Sequence, residues 1–244
     1  MLNPQIHPLE INPLTGEPFL RLRNRPNIII TPPRWSDTPH ILPILNDERV
    51  HVWLRGPPVP FLFEHAETML QKGIPPCEAV LFELHEARDE KELKTVGASP
   101  VRFIRELKAD GTDELLGDLR IGRSPNGELI SVETVDWEGK QAKEEANNAL
   151  GVGDPDIVWC IADFLSPAHH RKGIMTDAIH TLLHAWAIPR MNVHRIITSA
   201  LVGNQGSLKV FEKNGFVRTK TLEDHCEVKG KMRSFWVLEW NADT

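Results

Sequence analysis

Hydrophobic and polar positions alternate with the clearest rhythm over the last ninety residues. Ile157–Leu165 reads as a strand, and Lys172–Ala187 as a helix with Ile174, Ala178, Leu182, Ala185 and Trp186 on one side. Arg195–Ala200 reads as a second strand and Gln205–Asn214 as a short helix, with Gly215 where a left-handed cap belongs. Phe216–Thr221 and Phe235–Trp240 follow as strands. Nearer the start, Asn27–Thr31 is a β-branched run broken by Pro32-Pro33, and His40–Leu45 is a short helix. Phe61–Lys72 carries Leu62, Ala66, Met69 and Leu70 at helical spacing, with Gly73 and Pro75 expected to end it. Val101–Leu107 and Leu115–Ile121, joined by Ala109-Asp110-Gly111-Thr112, have the signature of a hairpin. Strands and helices in this order predict an α/β fold, a mixed sheet flanked by helices on both faces.

Two stretches lack a period. Residues 1–27, rich in proline and asparagine, read as an extended arm, and residues 123–156 as a polar insertion loop in which Leu129–Thr134 is a candidate strand. That leaves one domain over residues 28–244, consistent with a length of 244 residues.

Composition then narrows the function classes. A formal charge of −6 argues against a nucleic-acid binder working through a global positive field. No apolar run reaches the ~20 residues that span a bilayer, and no signal peptide is visible, so no membrane role is expected. Three scattered cysteines, Cys77, Cys160 and Cys226, form neither a disulfide framework nor a metal cluster, which points to a reducing, cytoplasmic setting. The chain has no tyrosine, which removes one common catalytic acid.

Two segments carry candidate chemistry. In Leu165-Ser166-Pro167-Ala168-His169-His170-Arg171-Lys172-Gly173-Ile174-Met175-Thr176-Asp177-Ala178 a strand ends and a helix begins near Gly173. Unpaired N–H groups and the positive dipole end of such a helix hold an anion without net basic charge, and Arg171 and Lys172 add cations. An incidental glycine before a helix explains the same residues equally well. In Asn204-Gln205-Gly206-Ser207-Leu208-Lys209-Val210-Phe211-Glu212-Lys213-Asn214-Gly215-Phe216, Asn204 suits an N-cap, and Ser207 and Phe211 share a helix face. Those two line a cleft wall or, on the residues alone, belong to a capped helix with Phe211 in the core.

Together the segments resemble the GNAT superfamily of acyl-CoA N-acyltransferases, and within it the RimJ/RimL-like branch, which acetylates protein N-termini. The family's cofactor signature, Q/R-x-x-G-x-G/A, falls on His170-Arg171-Lys172-Gly173-Ile174-Met175, where Gly173 fits and His170 replaces the usual glutamine or arginine. Its second signature is matched in full by Asn204, Ser207, Glu212, Lys213, Gly215 and Phe216. Val193-His194-Arg195-Ile196, Ile30-Thr31-Pro32-Pro33-Arg34 and Asn46-Asp47-Glu48-Arg49-Val50 are also typical of the branch.

The resemblance implies a splayed sheet and direct attack of an amine, from a protein N-terminus or a small molecule, on the thioester of acetyl-CoA as co-substrate. It implies that backbone groups of Phe164 and Leu165 hold the pantetheine arm, that residues 170–176 (His170, Arg171, Lys172, Gly173, Ile174, Met175, Thr176) hold the pyrophosphate, and that Asn204, Ser207 and Phe211 complete the cofactor site. Phe211 stands where many relatives carry a tyrosine acid, and Ser199 where some carry a glutamate base. Ser207 is therefore the candidate acid and Asp163, on the strand beside the thioester, the candidate base. The competing expectation is an acyl-CoA-binding module that kept the fold and lost its acid and base. Monomer and homodimer both remain open.

The other features have simpler explanations. His180 and His184 lack a third ligand for a metal site. His169-His170 is as readily a loop end as a pH-sensitive element. Trp35, Trp53 and Phe61 fit either packing or an acceptor sandwich, and the acidic run Glu83–Glu92 fits a solvated face.

Overall fold

The computed structural model describes residues 3–125 and 139–242. In chain order the strands are β1 (Glu10–Ile11), β2 (Pro18–Arg21), β3 (Ile28–Thr31), β4 (Phe103–Leu107), β5 (Asp113–Arg123), β6 (Val158–Leu165), β7 (Arg195–Leu201), β8 (Val217–Val228) and β9 (Lys231–Asn241). The α-helices are α1 (Thr38–Leu45), α2 (Glu48–His51), α3 (Phe63–Glu86), α4 (Lys140–Ala149), α5 (Ile174–Thr181), α6 (Ile188–Met191) and α7 (Gln205–Glu212). A π-helical stretch, Leu182–Ala187, joins α5 to α6. The α/β class expected from the sequence, a mixed sheet flanked by helices on both faces, is the class observed.

The chain forms two compact units. The first holds the residues up to Arg120 and Asp163–Met191. Its strands run antiparallel in the order β1-β2-β3-β4-β5. A register shift between Ile104 and Arg105 leaves Leu116 of β5 as an extra residue, and its carbonyl accepts the Ser166 N–H at 2.6 Å. Helices α1 and α3, with Phe61 just ahead of α3, bury Ile41, Leu45, Ala66, Leu70 and Ile74 against Phe103 and Leu115, and Phe164 leans on the same cluster.

Helix α3 corrects one expectation. It does not stop at Gly73 and Pro75 but continues through Pro76 to Glu86. Its buried stripe of Ala66, Leu70, Ile74, Cys77, Val80 and Leu84 keeps helical spacing across the break, so tertiary burial outweighs local breaker propensity. Gly73 leaves room for a neighbour: a Cβ there would lie 2.9 Å from Arg102 Nη1. The N-terminal segment is also built into this unit. Gln5 is fully buried, donating to the carbonyls of Glu90 and Glu92 and accepting from Lys94 N–H. Buried Arg190 donates to the carbonyls of Gln5, His7 and Lys94.

The second unit holds Ile121–Ala162 and the residues from Asn192 onward, in the strand order β6-β7-β9-β8. Val158, Ile197 and Val237 form its small core with Leu222. The expected insertion contains α4, docked by an amide rather than by an apolar face: Asn147 accepts from Val158 N–H and donates to Val158 O, both at 2.9 Å. The candidate strand Leu129–Thr134 lies outside the described residues, apart from which β8 runs beyond the expected Thr221 to Val228. Strands β6 and β7 are parallel but pair only at Val158–Trp159 with Arg195–Ile196. One step further, the Thr198 hydroxyl donates to the Ile161 carbonyl at 2.8 Å, a side chain standing in for the ladder.

Candidate cofactor and acyl-transfer site

The site residues of the first unit sit where β6 ends. Gly117 of β5 lies directly against this strand end, and a Cβ there would collide with the Phe164 carbonyl oxygen. The chain then turns through Pro167–His169, and His170 Nε2–H donates back to the Leu165 carbonyl at 2.8 Å. The Leu165 carbonyl is thus engaged within the unit, and the Phe164 carbonyl lies close against Gly117.

Beyond His170 the backbone takes an uncommon course. Arg171 has φ 61° and Gly173 φ 73°, both left-handed. For glycine this costs little, but for arginine the region is sparsely populated. Such residues turn successive N–H groups outward, the geometry of anion-binding concavities. Arg171, Lys172 and Gly173 are exposed, whereas Ile174 and Met175 bury their side chains and offer a ligand only backbone. Helix α5 begins without a side-chain cap. An exposed turn with two cations ahead of a helix start fits an anionic group such as a pyrophosphate.

Asp163 is half-buried on β6. Burial pushes its carboxyl up to about 7, and the neighbouring Asp118 carboxylate adds to the rise. Asp118 is itself held by the partly buried Arg102, whose Nε donates to Oδ1 at 2.7 Å and whose Nη2 donates to Oδ2. This ion pair holds the Asp118 carboxylate in place beside the strand end, a feature not read from the sequence. The signals were Gly117 in a strand interior, which marks close approach of another backbone, and the charged Asp118 next to it.

In the second unit, Asn204 caps α7 by accepting the Ser207 N–H at 3.1 Å. Ser207 is half-buried. Phe211 is only 2% exposed and meets Phe216 edge-on, ring centroids 5.0 Å apart. Gly215, at φ 84°, donates to Glu212 O at 3.1 Å and Phe216 N–H to Phe211 O at 3.2 Å, the paired bonds of a Schellman cap. The structure brings Asp163, Phe164, Leu165 and residues 170–176 together in the first unit and Asn204, Ser207 and Phe211 together on one helix of the second.

The remaining candidates separate from chemistry. His180 and His184 stack with centroids 4.4 Å apart, and among the described residues no group of three metal-ligating side chains occurs. His169 is held below the usual histidine range, first by burial and then by Lys172. Phe61 belongs to the buried α1–α3 cluster, Trp53 is half-buried, and Trp35 stays exposed. Among the described residues no helix is long and apolar enough to cross a membrane.

A sheet with an interrupted parallel pair and an anion-fitting turn after its central strand defines a class of acyl-transfer folds, and comparison with known proteins names it. Residues 27–217 match the acetyltransferase (GNAT) domain family, and the chain belongs to that family. A probable N-acetyltransferase of Bacillus subtilis, YjcK, is 33% identical over 78 residues, 32% of this chain and 42% of that protein, so the chain spans less than half of that curated relative. A GNAT-family acetyltransferase from Bacillus anthracis shares the fold at 14% identity, with a TM-score of 0.61 over 93% of this chain and 99% of the other. Mycobacterium smegmatis RimJ, solved with a CoA disulfide, does so at 20% identity, with a TM-score of 0.52 over 93% and 87%.

Proposed function

We propose that the protein is an N-acetyltransferase that transfers the acetyl group of acetyl-CoA directly to an amine. The acetyltransferase domain is read as residues 28–244, with residues 1–27 as an N-terminal extension and 123–156 as an insertion. The observation that carries the reading is the left-handed, exposed Arg171–Gly173 turn opening α5 at the end of β6. Residues 170–176 hold the pyrophosphate through backbone N–H groups and the Arg171 and Lys172 cations. Backbone groups of Phe164 and Leu165, at the end of β6, hold the pantetheine arm. Asn204, Ser207 and the wall formed by Phe211 complete the cofactor site.

In the reaction Asp163, as carboxylate, takes a proton from the acceptor ammonium. The freed nitrogen lone pair attacks the thioester carbonyl carbon, the C–S bond breaks as the tetrahedral intermediate collapses, Ser207 protonates the departing thiolate, and the proton that the nitrogen sheds on becoming an amide returns to the Ser207 oxygen. A carboxyl held near 7 is a stronger base than an ordinary aspartate and still ionises near neutral pH. The acceptor is a protein N-terminus, as in the RimJ/RimL-like branch, or a small amine, acting in the cytoplasm with the enzyme as monomer or homodimer.

One observation favours a second reading, a binding module without turnover: Phe211 is buried and has no proton to give. A thiol-release assay with acetyl-CoA against N-terminal peptides, polyamines and amino acids separates the two. Acceptor-dependent release of CoA supports the enzyme. Tight CoA binding without release across the panel supports the module, and absence of CoA binding by folded protein removes both.

A further inference from the structure

The chain just before β3 reaches the proposed pyrophosphate turn. Leu22 is buried, and the bonds Ile28 N–H to Arg25 O (2.9 Å) and Leu22 N–H to Ile28 O (3.0 Å) close a tight turn that presents Asn24 and Arg25. Arg25 Nη2 donates to the Lys172 carbonyl at 2.6 Å, and Nη1 donates to Asp177 Oδ2 at 3.0 Å. Asn24 donates twice to the same carboxylate, from its side chain to Oδ1 at 2.9 Å and from its backbone to Oδ2 at 3.2 Å. Asp177 is 4% exposed, so three donors from the N-terminal segment satisfy a buried acid in the first turn of α5.

Gly173 takes on a second meaning here. The space its missing Cβ leaves is filled on one side by Arg25, because a Cβ would lie 2.9 Å from Nη2. The guanidinium braces the turn at a carbonyl before Gly173 and at a carboxylate after it. Resting on the proposed function, we propose that Arg25, seconded by Asn24, is a positioning residue for the cofactor: it fixes the Lys172–Asp177 turn so that its N–H groups and cations meet the pyrophosphate. Arg25 remains 32% exposed at its side chain, which keeps its charge at the rim of the same turn.

The test compares two thioester substrates. Acetyl-CoA carries the pyrophosphate, and acetyl-pantetheine lacks it. R25Q, which removes both guanidinium bonds, should raise KM for acetyl-CoA about tenfold or more, while leaving kcat at saturation and all constants for acetyl-pantetheine near wild type. R25K, which keeps the charge and reaches one partner, should recover part of the loss, and thermal melting of each variant reports folding. Unchanged acetyl-CoA KM in R25Q overturns the inference. So does an equal loss with both substrates, which marks a general structural role. A wild-type protein that binds no acetyl-CoA overturns the proposed function itself, a result distinguishable from either.

Discussion

The turn at Arg171–Gly173 and the helix α7 present opposite relations between motif and structure. Helix α7 matches its family pattern in full, and the structure accounts for most of that pattern by local folding. Asn204 caps the start, Gly215 forms the left-handed end, and Phe216 packs on Phe211. The turn matches at a single glycine, yet it holds the features that folding alone does not require: a left-handed arginine, an uncapped helix start and exposed cations. A complete motif therefore reported on architecture, while the degraded one marks the turn proposed to hold the pyrophosphate. Local rules are broken most where a ligand repays them.

Substitutions in the two regions should separate binding from stability. The largest effect is expected at the turn. Gly173→Trp should abolish the rise in Tm that saturating CoA gives the wild type, because the side chain takes the place of both pyrophosphate and Arg25. Retained CoA-dependent stabilisation, followed by thermal shift, would refute the anion site. Next, Ser207→Ala should lower kcat by ~10²–10⁴-fold with little change in CoA affinity. Phe211→Tyr added to it tests whether a phenol at that position restores turnover. Wild-type kcat in the serine variant would leave water as the proton donor.

Asp163 supplies a pH-dependent test of intermediate size. Its carboxyl ionises near 7 in the folded state against 3.8 for the ordinary group, so the folded chain keeps a proton that the unfolded chain loses between those values. This contribution to stability is present below pH 3.8 and is lost as pH rises through 7. Asp163→Asn should accordingly melt higher than wild type at pH 8 and show no such gain at pH 4. Wild-type kcat/KM should rise with pH through about 7, a limb the variant lacks. A pH profile unchanged by the substitution would move the base elsewhere.

The smallest effect belongs to α7. Asn204→Ala should cost ~1 kcal/mol through the lost cap, lowering Tm by about 2–4 °C. If CoA affinity is unchanged, measured by calorimetry, Asn204 is a cap alone and the contrast with the turn sharpens. If affinity falls as well, the motif residue serves both roles.

The legible parts of this chain are those in which apolar spacing and local breakers agree. The elements from Val158 to Asn241 lie close to their expected places, as do α1 and the hairpin of β4 and β5. Reading failed where tertiary contacts overrode local signals. Gly73, Pro75 and Pro76 suggested a stop inside α3, although the buried stripe continued beyond them. Helix α4 was invisible to a search for apolar periods because its described buried residue is Asn147. Among the proposed site residues, the turn and Asp163 are candidates by their order along the chain. Arg25, Asp118 and Arg102 are not, because their partners lie 152 and 16 residues away and no local pattern links them.

Arg190 has a bearing on how the chain comes to be folded. Its guanidinium is the donor for carbonyls 183 and 185 residues earlier, at His7 and Gln5. During synthesis the segment at Gln5 and His7 must wait for nearly the last residues of its own unit. At ~5–20 residues per second that delay is roughly 10–40 s. Contacts of such long sequence separation are also the slowest to form in refolding. The Gln5–His7 segment is made long before its donor and docks late.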